Sequence, residues 1–492
     1  MQLERTLRPI LDLPPLRVLA LALTMAALAW FSMDARSPVR DPDVFWHLSV
    51  GNWILQNHAV PHTGLFSRTA ANHPWIAYSW GYEVLLSRAY AWFGLMGVAW
   101  FGLTVTLGVA AILFWWCYRL SRSVWVAWVV GTVGCFAYVF SLMPRPVFVS
   151  MAAYTLLLGL LIQARADGDI RKLYFLPPLF VAWANLHILF VYGLGVLALF
   201  TFVTGMQHLA QRGGLSVRWL PVPKLAFLPV AGILAASVLA CCIGPYSFKV
   251  FGVVLNYASS RVPYTFITEL QPPKFVYFTD YVLLFLTVCG FAVLVWKRRF
   301  DAFSVPLLCV ATIMAFRHSR DAWFVAISAA LFISDAFKRD AGEEDRFSIL
   351  EIAATVAVTA ILLIGAARST QFYPRELDRA ISNDYPVNAA NYLRLHPLPG
   401  PIYNDLNWGG FLIWYMPMYP VAFDGRTDVY GDELMGIIAR SREGDYRSDP
   451  VLQESRLVLL QKGLPLTDAL AGDPHFRAVY EDALSVIFVR SD

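Results

Sequence analysis

Charged side chains are scarce in this chain: 39 Lys and Arg and 35 Asp and Glu stand among 492 residues, or 15%, where a soluble domain carries about 25%. Hydrophobic residues reach 58% and mean hydropathy is +0.53, so too little polar surface exists to cover a soluble body of this size. That shortage excludes a wholly soluble protein and implies a membrane one. Cysteine is sparse too. Cys117, Cys135, Cys241, Cys242, Cys289 and Cys309 all lie in or beside apolar runs, with no disulfide framework and no zinc spacing. A net charge of only +4, carried in short basic clusters beside apolar runs, argues against nucleic acid as a partner. The N-terminus places Arg5, Arg8 and Arg17 around the start of an apolar run from Val18 to Met33. Its exit, Asp34-Ala35-Arg36-Ser37-Pro38, has no small-x-small cleavage site, so it reads as an uncleaved first span.

What charge there is concentrates at one end. The last 124 residues hold 28 of the 74 charges, about 23% against about 12% in the rest. The shift near Arg368 separates a membrane body, residues 1–367, from an extracytoplasmic tail, residues 368–492, expected to be a small α/β domain. Apolar stretches fall near 18–33, 95–117, 124–141, 147–163, 173–186, 188–206, 226–243, 281–296, 302–316, 322–335 and 350–367. They predict a mainly α polytopic helix bundle of about 11 spans across about 30 Å of hydrocarbon, with 173–186 and 322–335 short enough to be re-entrant. Alternate loops carry Arg119 and Arg122, then Arg165, Arg171 and Lys172, then Arg212, Arg218 and Lys224, then Lys297, Arg298 and Arg299, then Lys338, Arg339 and Arg346. Those loops are expected in the cytoplasm, which puts the N-terminus inside and the tail outside. Two long loops, 34–94 and 244–280, then share the outer face with the tail, and chemistry is expected there. The predicted spans hold almost no ionisable residues and no internal repeat, which weighs against a pump or ion-coupled transporter.

The first outer loop is the richest segment. In Asp41-Pro42-Asp43-Val44-Phe45-Trp46-His47-Leu48, Pro42 suits a first helical turn with Asp41 as N-cap. Val44, Trp46, Leu48, Trp53, Ile54 and Leu55 then predict an amphipathic helix at the membrane surface, with Asp43 and His47 on one face. Two readings stand side by side. In one the aspartates cap a helix; in the other one carboxylate is a base and its neighbour, with His47, orients it or holds a metal. His58, His62 and His73 share the loop without metal-ligand spacing, and Trp75, Trp80 and Tyr82 read as an interfacial aromatic belt. Glu83, at the start of an apolar run, is expected to face a cavity or a polar partner.

Asp41-Pro42-Asp43, Trp46-His47-Leu48, Gly51, Ile54, Phe66-Ser67, Pro74-Trp75 and Trp80-x-x-Glu83 together resemble the first outer loop of bacterial multi-span glycosyltransferases of the GT-C superfamily. They are most similar to a bacterial group with an Asp-Pro-Asp-x-x-Trp-His-Leu signature. Arg145-Pro146-x-Phe148, Trp183-Ala184-Asn185-Leu186-His187, Asn407-Trp408-Gly409-Gly410-Phe411-Leu412-x-Trp414 and Asp424-Gly425-Arg426-x-Asp428-x-Tyr430-Gly431 extend the resemblance over the whole chain. Val44 and Phe45 depart from it where a second Trp is common, and Ile188 where a Gly often follows the histidine; neither removes a polar group. The resemblance implies a multi-pass protein of the bacterial inner membrane. It would move a sugar from a polyprenyl-phosphate or polyprenyl-diphosphate carrier to a lipid, glycan or protein acceptor on the outer face, among membrane lipids.

Glycosyl transfer through an oxocarbenium-like state needs a carboxylate to take the acceptor proton and cations to stabilise the departing phosphate. Asp43 is expected as the base with Asp41 as its partner. Arg145, His187, Arg317, His318 and Arg320, with Glu83 and Glu269, are the candidate substrate and phosphate contacts, the arginines favoured for their bidentate fork. Arg317-His318-Ser319-Arg320-Asp321 stands on the side where the charge rule disfavours it. Asp424, Arg426 and Asp428 are expected to contact acceptor or rim the site, or else to form a salt-bridged turn. The residues leave open whether a divalent cation (Mg or Mn) takes part, with Asp41, Asp43 and His47 as its candidate ligands. Two rival readings are a transporter or flippase for lipid-linked glycans and a non-catalytic assembly component. For the topology, cysteines introduced near Ala70 and Asp449 are expected to react with an impermeant reagent from outside. Cysteines near Gly168 and Gly342 should not, and their labelling with the inner membrane intact would reverse the orientation.

Overall fold

A computed structural model describes residues 13–33, 37–138, 143–215, 217–259, 262, 267–340 and 342–491. Arg5, Arg8 and the Asp34-Ala35-Arg36 exit of the first span lie outside the described residues. The chain divides into two compact units: Met1–Asp34, Gly102–Ser247 and Glu269–Thr370 form the first, and Ala35–Phe101, Phe248–Thr268 and Gln371–Asp492 the second.

The first unit is a helix bundle. Six described helices are long and apolar enough to cross a membrane: Pro14–Ser32, Leu95–Ser121, Val147–Asp167, Phe190–Arg212, Phe278–Trp296 and Ile349–Ser369. The chain is therefore an integral membrane protein, but with six such helices rather than eleven. The other five apolar stretches are helical and too short. Val124–Phe136, Phe227–Ala240 and Ser304–Arg317 run 13 or 14 residues, Leu176–Leu186 has 11 and Ala322–Ala336 has 15. At 1.5 Å per residue these cover roughly 16 to 22 Å, less than the hydrocarbon thickness. Composition alone does not separate a core helix from a spanning one. Ala322–Ala336 shows the difference, since every residue from Ala322 to Ser334 is buried.

Local sequence sets the ends of these helices. Pro14 sits in the first turn of the first, where its fixed φ fits and no amide is lost. Ser348 and Glu351 form a reciprocal capping box at the start of Ile349–Ser369, and Gly168 closes Val147–Asp167 in the left-handed region at φ 73°. Ile349–Ser369 packs along Pro14–Ser32, with Arg17 3.6 Å from Asp345 and 3.9 Å from Glu351. Inside the bundle, glycine lets rings lie on backbone. A methyl group added to Gly159 would stand 2.2 Å from the Trp116 ring, and one on Gly193 2.4 Å from the Trp183 ring. Small residues have this role wherever apolar helices must associate without water to drive them together.

The second unit holds the first loop, residues 248–268 and the tail. Its four-stranded sheet has the order β1 (Ile402–Asn404), β2 (Leu457–Gln461), β4 (Ser485–Arg490), β3 (Phe476–Glu481). β1 runs parallel to β2 with Tyr403 opposite Val458, and the remaining pairs are antiparallel, Val458 opposite Phe488. Leu457 to Leu460 are all buried, as a central strand covered on both faces requires. The helix expected from Asp43 onward is Asp43–Asn57. It buries Val44, Phe45, Trp46, His47, Leu48, Val50, Gly51 and Ile54 against the Trp80–Phe93 and Gly409–Tyr415 helices, so its apolar residues meet protein instead of an open membrane surface. Trp75 and Tyr82 likewise are 4% and 1% exposed and belong to the core of this unit, not to an aromatic belt.

The Trp116–Gly159 contact yields a stability test. Gly159→Ala forces the ring aside, and overpacking of this kind costs about 1–3 kcal/mol. The unfolding midpoint of the detergent-purified protein should fall by several degrees, and adding Trp116→Leu should recover part of the loss. No change in either variant would show the contact to be absent.

Candidate functional site

The signature residues of the second unit gather around the start of the Asp43–Asn57 helix. Pro42 occupies the cap position without a side-chain bond, so Asp41 stands one residue further out than an N-cap. Its carboxylate still satisfies an open amide, since Asp43 N–H donates to Asp41 Oδ1 at 3.2 Å. Asp41 is 1% exposed, whereas Asp43 is partly exposed. The Trp46 indole N–H donates to Asp43 Oδ1 at 2.9 Å, which orients the carboxylate.

One turn on, His47 Nδ1 lies 3.1 Å from Glu83 Oε1, buried 36 residues away on the neighbouring helix. Gly51 permits that approach, because a methyl there would fall 2.1 Å from the Glu83 carbonyl oxygen. Burial raises the Glu83 carboxyl above the usual carboxylate range, and the His47 hydrogen bond only partly opposes it. Glu83 Oε2 is buried and takes no hydrogen bond among the described residues. His47 is thus engaged by Glu83. The described residues bring no three His, Cys, Asp or Glu side chains together as a metal-holding group, and Asp41, Asp43 and His47 do not form one.

The tail motifs supply the surroundings of Asp43. A methyl on Gly425 would stand 1.9 Å from Asp43 Oδ1, and one on Gly410 2.6 Å from the Pro42 carbonyl oxygen. The backbone of the tail thus closes in on both sides of the aspartate, against fixed backbone at Gly410 and against the end of the Asp43 side chain at Gly425. The next turn is held by a buried ion pair. Arg426 donates from Nε to Asp424 Oδ1 at 2.8 Å and from Nη2 to Oδ2 at 2.7 Å, Tyr430 donates its hydroxyl to Oδ2 at 2.8 Å, and both charged side chains are 0% exposed. For Asp424 burial works upward, but the Arg426 charge and hydrogen bonds win and hold it below the usual range. Arg426 also donates to the Leu65 carbonyl at 2.6 Å and lies 4.7 Å from the Trp75 ring centre. Burial pushes Asp428 up to about 6 against the pull of Arg426. Asp424 and Arg426 bind one another and build the turn beside Asp43, while Arg426 Nη1 is buried without a hydrogen bond among the described residues.

Side chains given no site role from the sequence attach the loop to the tail. Ser67 donates to the Ala422 carbonyl at 2.8 Å, and Arg68 donates to the Val451 carbonyl at 3.0 Å and the Ser455 hydroxyl at 2.6 Å. Asn404 uses its whole amide, donating to the Asp405 and Phe423 carbonyls and accepting from Ala422 N–H. Phe66-Ser67 was visible as a motif; its partners lie more than 350 residues away and were not.

In the first unit the remaining candidates form a chain of contacts. Arg145 donates to Glu269 Oε1 at 2.6 Å. The backbone of residues 269–271 then holds the 318–319 turn: His318 Nδ1 lies 2.6 Å from the Leu270 carbonyl oxygen, Ser319 Oγ donates to the Glu269 carbonyl at 3.1 Å and Ser319 N–H to the Gln271 carbonyl at 3.0 Å. Arg320 lies beside Asp321, whose carboxylate accepts from the Tyr192 hydroxyl at 3.2 Å, and Arg317 is exposed. His187 is 2% exposed and meets Ser150 Oγ at 2.7 Å, which also accepts from the Trp183 indole. It sits in a satisfied buried network.

The two tail glycines separate a local effect from a structural one. In Gly425→Ala the atom in the way is the end of the Asp43 side chain, which can turn. In Gly409→Ala it is the Phe423 carbonyl oxygen, 1.9 Å from the new methyl, which cannot. The unfolding midpoint should therefore drop by several degrees in Gly409→Ala, on an overpacking cost of about 1–3 kcal/mol, and much less in Gly425→Ala. Equal losses would contradict the placement of Asp43 against Gly425.

No family model and no curated protein matches the sequence. Solved structures do match in fold. The archaeal oligosaccharyltransferase AglB from Archaeoglobus fulgidus, in complex with an inhibitory peptide and a dolichol-phosphate, aligns with a TM-score of 0.52 at 10% identity over 90% of this chain and 69% of that one. ArnT from Cupriavidus metallidurans, bound to undecaprenyl phosphate, aligns with a TM-score of 0.50 at 13% identity over 96% and 97% of the two chains. Over most of its length the chain thus has a multi-pass membrane fold similar to that of GT-C glycosyltransferases.

Proposed function

We propose that the chain is a membrane glycosyltransferase that moves a sugar from a polyprenyl-phosphate or polyprenyl-diphosphate carrier to a lipid, glycan or protein acceptor on the outer face of the cytoplasmic membrane. The observation that carries this reading is Asp43. It is a partly exposed carboxylate, oriented by the Trp46 indole and packed on Gly425, in a fold shared with proteins solved with a carrier phosphate bound.

In this mechanism Asp43 takes the proton of the acceptor hydroxyl as that oxygen bonds to the anomeric carbon and the bond from carbon to phosphate oxygen breaks. Asp41, buried and bound to the Asp43 amide, sets the backbone from which the base projects and is a positioning residue. The phosphate leaves with its negative charge, which cationic groups must meet. Arg317 and Arg320, with Arg145 and His318, are the cations proposed for that charge.

Asp43→Asn keeps the size and removes the base. Transfer of radiolabelled sugar from polyprenyl-phosphate carriers in membranes should fall by about two to four orders of magnitude, the usual scale for a lost general base, at unchanged expression. Full transfer in both Asp43→Asn and Asp41→Asn proteins would remove the assignment.

A further inference from the structure

At one end of the first unit a cleft of about 300 Å³ opens between the C-terminal ends of the Leu95–Ser121, Val147–Asp167 and Ala322–Ala336 helices and the loop that follows. It plays no part in the reading above. We propose that this cleft binds the headgroup of an anionic phospholipid, with Arg119, Lys338 and Arg346 as the phosphate contacts.

Four acids line the cleft beside these cations, Asp167, Asp335, Glu344 and Asp345. Each is already paired, three of them with cations that do not line the cleft. Asp345 takes Arg339 at 2.6 Å, Arg17 at 3.6 Å and the Val124 amide at 2.9 Å. Asp167 takes Lys172, and Asp335 takes Arg299 at 3.6 Å. Only Glu344 uses a lining cation, Arg122, at 3.5 Å. Among the described residues Arg119, Lys338 and Arg346 make no salt bridge within 4 Å, although all three line the same cleft; the Lys338 charge acts on Asp167 and Asp335 from further off, ranking behind their direct partners Lys172 and Arg299. Three such cations around one concavity suit a group with several anionic oxygens.

Two observations make that group part of a lipid. The Arg119 guanidinium lies 5.7 Å from the centre of the Trp115 ring, one helical turn back, and Trp115 is 49% exposed on a long apolar helix. Three residues beyond Arg346, the next apolar helix exposes Ile349 at 84% and Leu350 at 81%. An amphiphile with its phosphate at Arg119 and its acyl chain along Trp115 uses both surfaces at once, whereas a soluble phosphate uses only the cations. The same end carries the basic loops, and anionic headgroups favour basic pockets between membrane helices on the cytoplasmic side.

The test is native mass spectrometry of the full chain in neutral detergent, titrated with phosphatidylglycerol or phosphatidylcholine. One phosphatidylglycerol should bind at least tenfold more tightly than phosphatidylcholine. Replacing Arg119, Lys338 and Arg346 together by Gln should weaken it on the order of 100-fold, at roughly fivefold for each cation removed. Arg346→Gln alone, at an exposed position and with an unchanged unfolding midpoint, should cost about fivefold. Equal affinity for the two lipids, or a triple variant that binds as the parent does, overturns the proposal. Competition by soluble glycerol 3-phosphate at the affinity of the lipid also overturns it, because the cleft then recognises a soluble anion.

Discussion

A charge pair with no access to water, Asp424 with Arg426, governs the geometry of the second unit. A lone charge in that position would be prohibitively costly, and even the pair is stable only because both oxygens and most guanidinium donors find partners. Those partners come from well-separated parts of the sequence: the Leu65 carbonyl from the first loop, the Trp75 ring face from the same loop, the Tyr430 hydroxyl from the tail. Satisfying one guanidinium therefore fixes loop and tail together. Gly425, between the paired residues, is carried against Asp43 as a result, and the exposed carboxylate inherits its setting from the buried one.

The same turn tunes the acids around it differently. Asp424 is held low by Arg426, while Asp428, four residues on, and Glu83, on another helix, are raised by burial. Identical chemistry at neighbouring positions thus yields groups with different proton affinity. Arg426 acts on all three, but only at Asp424 does its pull outweigh burial.

The positions of the apolar helices were legible in the sequence, because a run of apolar residues bounded by Pro, Ser or Gly is helical whether it crosses lipid or fills a core. Which of the two it does was not. Ala322–Ala336 and Phe278–Trp296 look alike in composition, but one is buried throughout and the other exposes Phe285, Val288 and Val295. In the candidate site the aspartates, His47 and Glu83 could be found as residue types out of place in apolar surroundings. Their partners could not: the Glu83 that meets His47 lies 36 residues away on another helix, and nothing in the spacing told that the Trp46 indole binds Asp43. The roles of Gly409 and Gly410 were hidden for a related reason, since a glycine has no side chain to advertise what presses on it.

The buried Ala322–Ala336 helix also bears on how the chain is made. At 15 residues it is too short to hold itself across a bilayer, and its packing surface goes all the way round. The helices that enclose it, Val124–Phe136, Val147–Asp167, Phe278–Trp296 and Ser304–Arg317, all precede it in the sequence. During synthesis its niche is therefore complete before the segment leaves the ribosome, and it can be handed directly from the translocation machinery to a prepared slot without a period of residence in lipid on its own.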